Sequence, residues 1–177
     1  MRFERHVGVG EWRSPARERK RCASAQTALG EAVLLRGRAT QGGVEAQWNG
    51  WEEWVITLAG AEIVVLRDIA VPGPAACRRV SKAVHGTLRG AELKVSGRRP
   101  LRPSGRYVVF ETPGGSISFR PQGLGVRVLG GQENLLAHRV SGRWQEMVPS
   151  GDVIAAVCVF EWGGLDHFMD SPLMALL

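Results

Sequence analysis

The 177-residue sequence lacks the patterns that mark common catalytic and metal-binding sites. It contains no G-x-S-x-G, no Walker A pattern and no G-x-G-x-x-G. None of its four histidines lies three or four residues from another His or Cys, so helical spacing of metal ligands is missing. The sequence therefore predicts no metal, no cofactor and no catalytic residue, and it favours a non-enzymatic protein.

Cysteines and long apolar runs are also scarce. The three cysteines form no C-x-x-C pair, which is typical of free thiols in a reducing compartment. Cys77 is the best candidate for a reactive thiol because Arg78 and Arg79 follow it; the alternative is an ordinary loop cysteine. The longest apolar run, 153–160, is far shorter than the ~20 residues of a membrane span. The N-terminus is charged and lacks the apolar region of a signal peptide, so we expect a cytoplasmic protein without a transmembrane span.

Positive charge is abundant and unevenly distributed. The formal net charge is +6, but residues 1–43 carry +5, residues 44–77 carry −4, residues 78–143 carry +10 and residues 144–177 carry −5. Such blocks suit an acidic partner, or they face each other in the fold and partly cancel.

Short apolar runs separated by glycine-containing turns predict a mainly β protein. Runs of four to eight residues rich in Val, Ile, Leu, Phe and Trp are typical of strands, and glycine provides the backbone freedom that hairpin turns require. The predicted strands are 32–39, 43–48, 53–59, 62–68, 84–89, 92–96, 105–111, 116–120, 124–129, 134–140 and 143–147.

One C-terminal segment, 152–162, favours a helix over a strand. Ser150 and Asp152 offer N-cap side chains, and Gly163-Gly164 provides a stop. Its residues are apolar on all sides, so the helix must be surrounded by protein. A second short helix is predicted from Asp170 to the C-terminus.

The layout of about 10–12 antiparallel strands and one buried C-terminal helix predicts a curled or closed barrel around that helix. This layout, over roughly residues 31–164, resembles the tubby C-terminal-like barrel of the tubby, LURP-one-related and scramblase families. The resemblance implies a non-catalytic module, with membrane phospholipid binding as one family precedent. A β-sandwich or a pleckstrin-like barrel capped by the same helix is the alternative.

The sequence divides into a basic N-terminal arm, residues 1–30, and a single β-rich domain, residues 31–177. The arm lacks a dense apolar face, so we expect it to be mobile, with a short helix over 14–28 as the alternative, and to add little stability. The tryptophans at 48, 51 and 54 either anchor the barrel core or form an exposed aromatic patch.

The +10 block provides the candidate binding site. Two connections rich in Arg would form an anion-binding rim if they adjoin in space. We therefore expect a binding module for an acidic partner, such as anionic lipid head groups, nucleic acid or an acidic protein. The alternatives are a structural or oligomeric protein with charge-paired subunits and an enzyme with an unrecognised cleft. The candidate anion-binding residues are Arg78, Arg79, Lys82, Arg98, Arg99, Arg102 and Arg106.

Overall fold

The computed structural model describes residues 1–39, 50–147 and 149–170, which form a twelve-stranded antiparallel sheet. Each strand pairs with its neighbours in the sequence, so the sheet is a meander from β1 to β12. The strands are β1 (Arg2–Arg5), β2 (Lys20–Thr27), β3 (Gly30–Arg38), β4 (Trp51–Leu58), β5 (Ala61–Ala70), β6 (Val84–Leu88), β7 (Ala91–Arg98), β8 (Tyr107–Thr112), β9 (Gly115–Gln122), β10 (Gly125–Leu129), β11 (Leu135–Val140) and β12 (Arg143–Glu146).

The sheet curls into a nearly closed barrel. The Met1 amine donates a hydrogen bond to the Trp144 carbonyl at 3.4 Å, which brings the first and last strands side by side. The predicted barrel is therefore confirmed, and ten of the predicted strands occur within two residues of their expected bounds. The predicted strand 43–48 and Trp48 lie outside the described residues.

Three α-helices accompany the strands in the described residues: α1 (Val9–Trp12), α2 (Pro74–Val80) and α3 (Gly151–Gly163). Short 3-10 turns occur at Pro103–Gly105, Gly131–Glu133 and Leu165–Phe168. The helix predicted over 152–162 is confirmed as α3. The second predicted C-terminal helix lies beyond Asp170, outside the described residues. None of the helices described has both the length and the apolar character needed to cross a membrane.

Helix α3 is the centre of the hydrophobic core. All eight residues from Val153 to Phe160 are at most 3% exposed, so side chains on every face of the helix are covered by strands. The Phe160 ring stacks on Phe119 at a centroid distance of 4.5 Å, and Trp144 meets Phe160 edge-on at 5.9 Å. This packing accounts for an apolar sequence with no polar stripe.

The two ends of the barrel carry different connections. Because successive antiparallel strands reverse direction, alternate connections lie at the same end. The lower end carries the short turns that join β2 to β3, β4 to β5, β6 to β7 and β8 to β9, and Asp152 at the start of α3 binds Arg89 of the β6–β7 turn there. The upper end carries α2, the β7–β8 connection and the residues after α3. There the Gly73 N–H donates to the Gly163 carbonyl at 2.9 Å.

The N-terminal residues differ from the predicted arm, because residues 1–30 contribute β1, α1 and β2 to the barrel. The helix expected over 14–28 is wrong, since 20–27 is a strand that pairs with β3. The buried side chains of β2 are all small: Cys22, Ala23, Ser24 and Ala25. Small residues create no obvious apolar stripe in a sequence, although they fit the crowded inner face of a barrel.

A buried ion pair fastens the α1 segment to the barrel. Arg36 on β3 and Glu52 on β4 form a two-pronged pair at 2.8 and 2.7 Å, and both are at most 1% exposed. Arg36 also donates to the carbonyls of Trp12 and Ser14, both at 3.0 Å. The Ala16 N–H donates to Glu52 at 2.7 Å. These bonds dock residues 12–16 against the strands.

Tryptophan 54 lies in the core, as the first of the two interpretations predicted. It is 0% exposed, and its indole N–H donates to Glu52 at 2.9 Å. Trp51 occupies the opposite face of β4, where it is half-buried beneath the guanidinium of Arg79 at 4.3 Å from the ring centroid.

Candidate anion-binding cleft

A cleft of about 860 Å³ opens at the upper end of the barrel. It lies between α2, the β7–β8 connection and the 3-10 turn that follows α3. We call it the basic cleft, defined by Arg78, Arg98, Arg99, Ser81, Tyr107 and His167. The rest of its wall is largely apolar and includes Pro74, Pro100 and Phe168.

Helix α2 holds one side of the basic cleft in place. Pro74 occupies the first turn of the helix, where its missing N–H is not needed. Ala76, Cys77 and Val80 are buried against the barrel, which turns Arg78 outward. The Cys77 thiol donates to the Gly164 carbonyl at 3.4 Å, so α2 is fixed to the end of α3.

Strands β7 and β8 provide the opposite side. Arg98 and Tyr107 are directly paired across these strands, and both line the basic cleft. Gly97 is required beside them because a Cβ atom there would lie 2.9 Å from the Phe168 ring. The missing side chain lets Phe168 pack closely on β7, which positions the neighbouring His167.

Hydrogen bonds made by Arg99 and Arg106 fix the shape of the β7–β8 connection. Arg99 Nε donates to the Asp170 carbonyl at 3.1 Å, and Arg99 Nη1 lies 3.0 Å from His167 Nε2. The buried Arg106 donates to the carbonyls of Pro100, Leu101 and Met169. The connection that carries Arg98 and Arg99 is therefore tied to the C-terminal segment.

The structure brings three of the seven predicted residues into one cleft: Arg78, Arg98 and Arg99. Arg79 and Lys82 line a neighbouring groove of about 300 Å³, which shares Arg78 with the basic cleft. Arg102 is exposed on the same connection as Arg99 but does not line the cleft. Arg106 is only 6% exposed, and its guanidinium donates hydrogen bonds to backbone carbonyls. Arg106 is therefore a structural residue.

The electrostatics of the cleft follow from burial and from its arginines. Burial and the nearby negative charge of Asp166 raise the pKa of Cys77 to about 11. The positive charges of Arg99 and Arg78 act in the opposite direction and lower this pKa. The candidate reactive thiol is therefore buried, and its raised pKa favours the protonated form. Burial and the charge of Arg99 lower the pKa of His167, whereas Asp170 and Asp166 raise it.

Sequence reasoning missed His167, Ser81 and Tyr107 as members of the basic cleft. No motif marks them, because they come from three separate elements that only the barrel topology brings together. Among the described residues, no group of three or more His, Cys, Asp or Glu side chains could hold a metal ion.

No protein-family model, no curated protein and no solved structure matches this chain.

Proposed function

We propose that the protein is a non-enzymatic binding module that engages an acidic partner through the basic cleft. The observation that carries this proposal is the convergence of Arg78, Arg98 and Arg99 from two separate connections on one concave surface. An arginine fork matches the geometry of phosphate, sulfate and carboxylate groups.

Arg78 and Arg98 of the cleft differ in their ion pairing from three consecutive basic residues near the N-terminus. Arg19, Lys20 and Arg21 each form a salt bridge, with Glu53, Glu11 and Glu31 respectively. Arg78 and Arg98 are exposed and form no salt bridge with any residue in the described part of the chain. Arg78 and Arg98 therefore present charges that no carboxylate of the described residues neutralises by direct contact.

The polar groups of the cleft suit binding better than nucleophilic chemistry. The Ser81 hydroxyl donates to the Arg78 carbonyl at 2.8 Å, and the Cys77 thiol has a raised pKa. Within residues 1–39, 50–147 and 149–170, neither group has a hydrogen-bonded base of the kind that activates a nucleophile. Tyr107 and His167 add hydrogen-bonding groups around the arginines.

The same proposal includes a cytoplasmic location and a relationship to the tubby C-terminal-like barrel. All three cysteines are free and buried, which agrees with a reducing compartment. The barrel built around an apolar C-terminal helix supports the resemblance in layout.

The test is titration with heparin, a polyanion, at several salt concentrations. We expect weak binding whose affinity falls steeply with salt, because contacts with a polyanion release counterions. The variant R78A/R98A should bind roughly 2- to 30-fold less tightly, if each exposed contact contributes about 0.2–1 kcal/mol.

The matched control is R127A/R143A, which removes the same charge from exposed positions on β10 and β12. This control should lose clearly less affinity than R78A/R98A. Equal losses in the two variants would show that net charge, rather than the basic cleft, determines binding. Affinity that does not change with salt would also contradict the proposal.

A further inference from the structure

A second cavity lies at the lower end of the barrel, opposite the basic cleft. Its volume is about 390 Å³, within the range of small-molecule sites. Apolar side chains from six strands and α3 line it, among them Leu93, Phe110, Ile117, Leu136 and Ala156. We call it the hairpin cavity, because it opens beside the β8–β9 and β10–β11 turns.

The hairpin cavity exists because small residues stand where larger ones would fill the space. Ala156 is the α3 residue that forms its deep wall, and it is 3% exposed. Gly114-Gly115 and Gly130-Gly131 form part of the mouth without any side chain. The core is therefore open toward the lower end at this point.

Charges at the mouth are balanced. The carboxylate of Asp152 accepts a hydrogen bond from Arg89 at 2.6 Å, and the two form a salt bridge. The Thr112 hydroxyl donates to the Gly115 carbonyl at 3.1 Å. Ser116 and Asn134 remain as neutral polar groups of the lining. The mouth thus favours a neutral ligand with a hydrogen-bonding group, in contrast to the basic cleft.

We propose that the hairpin cavity binds a small neutral molecule, largely apolar and carrying one hydrogen-bonding group. The apolar part would pack against Leu93, Phe110 and Ala156, and the polar group would meet the side chains at the mouth. The cavity holds about 13 water-sized groups at roughly 30 Å³ each, which suits a bicyclic aromatic or a medium-chain alcohol. This inference does not depend on the function proposed for the basic cleft.

The first experiment titrates the full chain with N-phenyl-1-naphthylamine, a neutral probe whose fluorescence rises in apolar sites. We expect saturable one-to-one binding that is unaffected by salt and is kept by R78A/R98A. 1-Decanol should displace the probe, whereas decanoate should compete much less well. Absence of saturable binding would overturn the proposal, and loss of binding in R78A/R98A would place the probe in the basic cleft instead.

Two variants fill the hairpin cavity from opposite walls. Ala156→Phe fills it from α3, and Ile117→Phe fills it from β9, where the residue is half-buried. Each should weaken probe binding by about tenfold or more, since the added ring occupies ligand volume. Val109→Phe is the matched control, because Val109 is half-buried on β8 and does not line the cavity. A folded Ile117→Phe with unchanged probe affinity would refute the site.

One measurement on the unaltered protein tests ligand binding in the hairpin cavity even if both filling variants fail to fold. Methyl NMR spectra recorded with increasing 1-decanol should shift the signals of Leu93, Leu136 and Ala156. Shifts confined to other methyl groups, or no shifts, would overturn the proposal.

Discussion

Replacement of Glu52 by Gln tests how the N-terminal residues are held on the barrel. Glu52 accepts hydrogen bonds from Arg36, Ala16 and Trp54, and it is completely buried. The substitution keeps the size of the side chain and removes its charge. Arg36 would then stay buried without a counter-charge, while its bonds to Trp12 and Ser14 remain.

The expected loss is large because removing one member of a buried ion pair costs about 3–5 kcal/mol. The whole domain has roughly 5–15 kcal/mol of stability. For a chain of this length, each kilocalorie lowers the melting temperature by about 2–4 °C, so a fall of roughly 6–20 °C is expected. Urea unfolding followed by circular dichroism measures the change in free energy directly.

The neighbouring Glu53 provides a matched control. The Glu53 side chain is 11% exposed, but its partner Arg19 is 54% exposed, so Glu53→Gln leaves no buried unpaired cation and should cost only about 0.2–1 kcal/mol. A loss in Glu52→Gln no greater than that in Glu53→Gln would refute the reasoning. It would mean that the buried pair does not hold residues 12–16 on the barrel.

Two further predictions concern the core and the basic cleft. Val157→Asp should be insoluble or unfolded, since Val157 is 0% exposed in α3 and an unpaired buried carboxylate costs several kilocalories; native circular dichroism and melting temperature would contradict this. Heparin affinity should rise as the pH falls below about 6.5, the ordinary His pKa. His167 has a lowered pKa and is neutral above that range, and a bound anion favours its protonated form. The variant His167→Gln should flatten this pH profile, and an unchanged profile would exclude His167 from the effect.

The barrel could be predicted from the sequence because most of its strands have a recognisable sequence pattern. Runs such as β4 and β5 are rich in Val, Ile and Leu and are separated by a tight turn at Ala59-Gly60. The buried helix α3 could be predicted equally well, since an apolar segment with no polar face has to be surrounded by protein. These signals are local, and each can be read within one segment.

The first two strands could not be predicted on the same grounds. The buried side chains of β2 are small, and the charged Lys20 and Arg21 are typical of a solvated arm. The burial of Arg36 and Glu52 is equally hard to predict, because charged residues usually face water. Their spacing did contain a signal, since each stands two residues from an inward apolar side chain, Leu34 and Trp54.

The residues of the basic cleft were predictable only in part. Alternate connections of a meander share one end, so Arg78 and Arg98 could be expected to lie near each other once the strand order was known. Arg106 could not be separated from them, because its structural role depends on three backbone carbonyls that only the folded chain brings together.

The most direct test of the basic cleft is to locate a bound anion on the protein. Nitrogen-15 NMR spectra of the unaltered chain, recorded during titration with a heparin disaccharide, report on each backbone amide and arginine Nε group. We predict shifts concentrated at Arg78, Ser81, Arg98 and Arg99. Shifts concentrated instead at Arg127 and Arg143, or spread evenly over the barrel surface, would contradict the assignment of the acidic partner to the basic cleft.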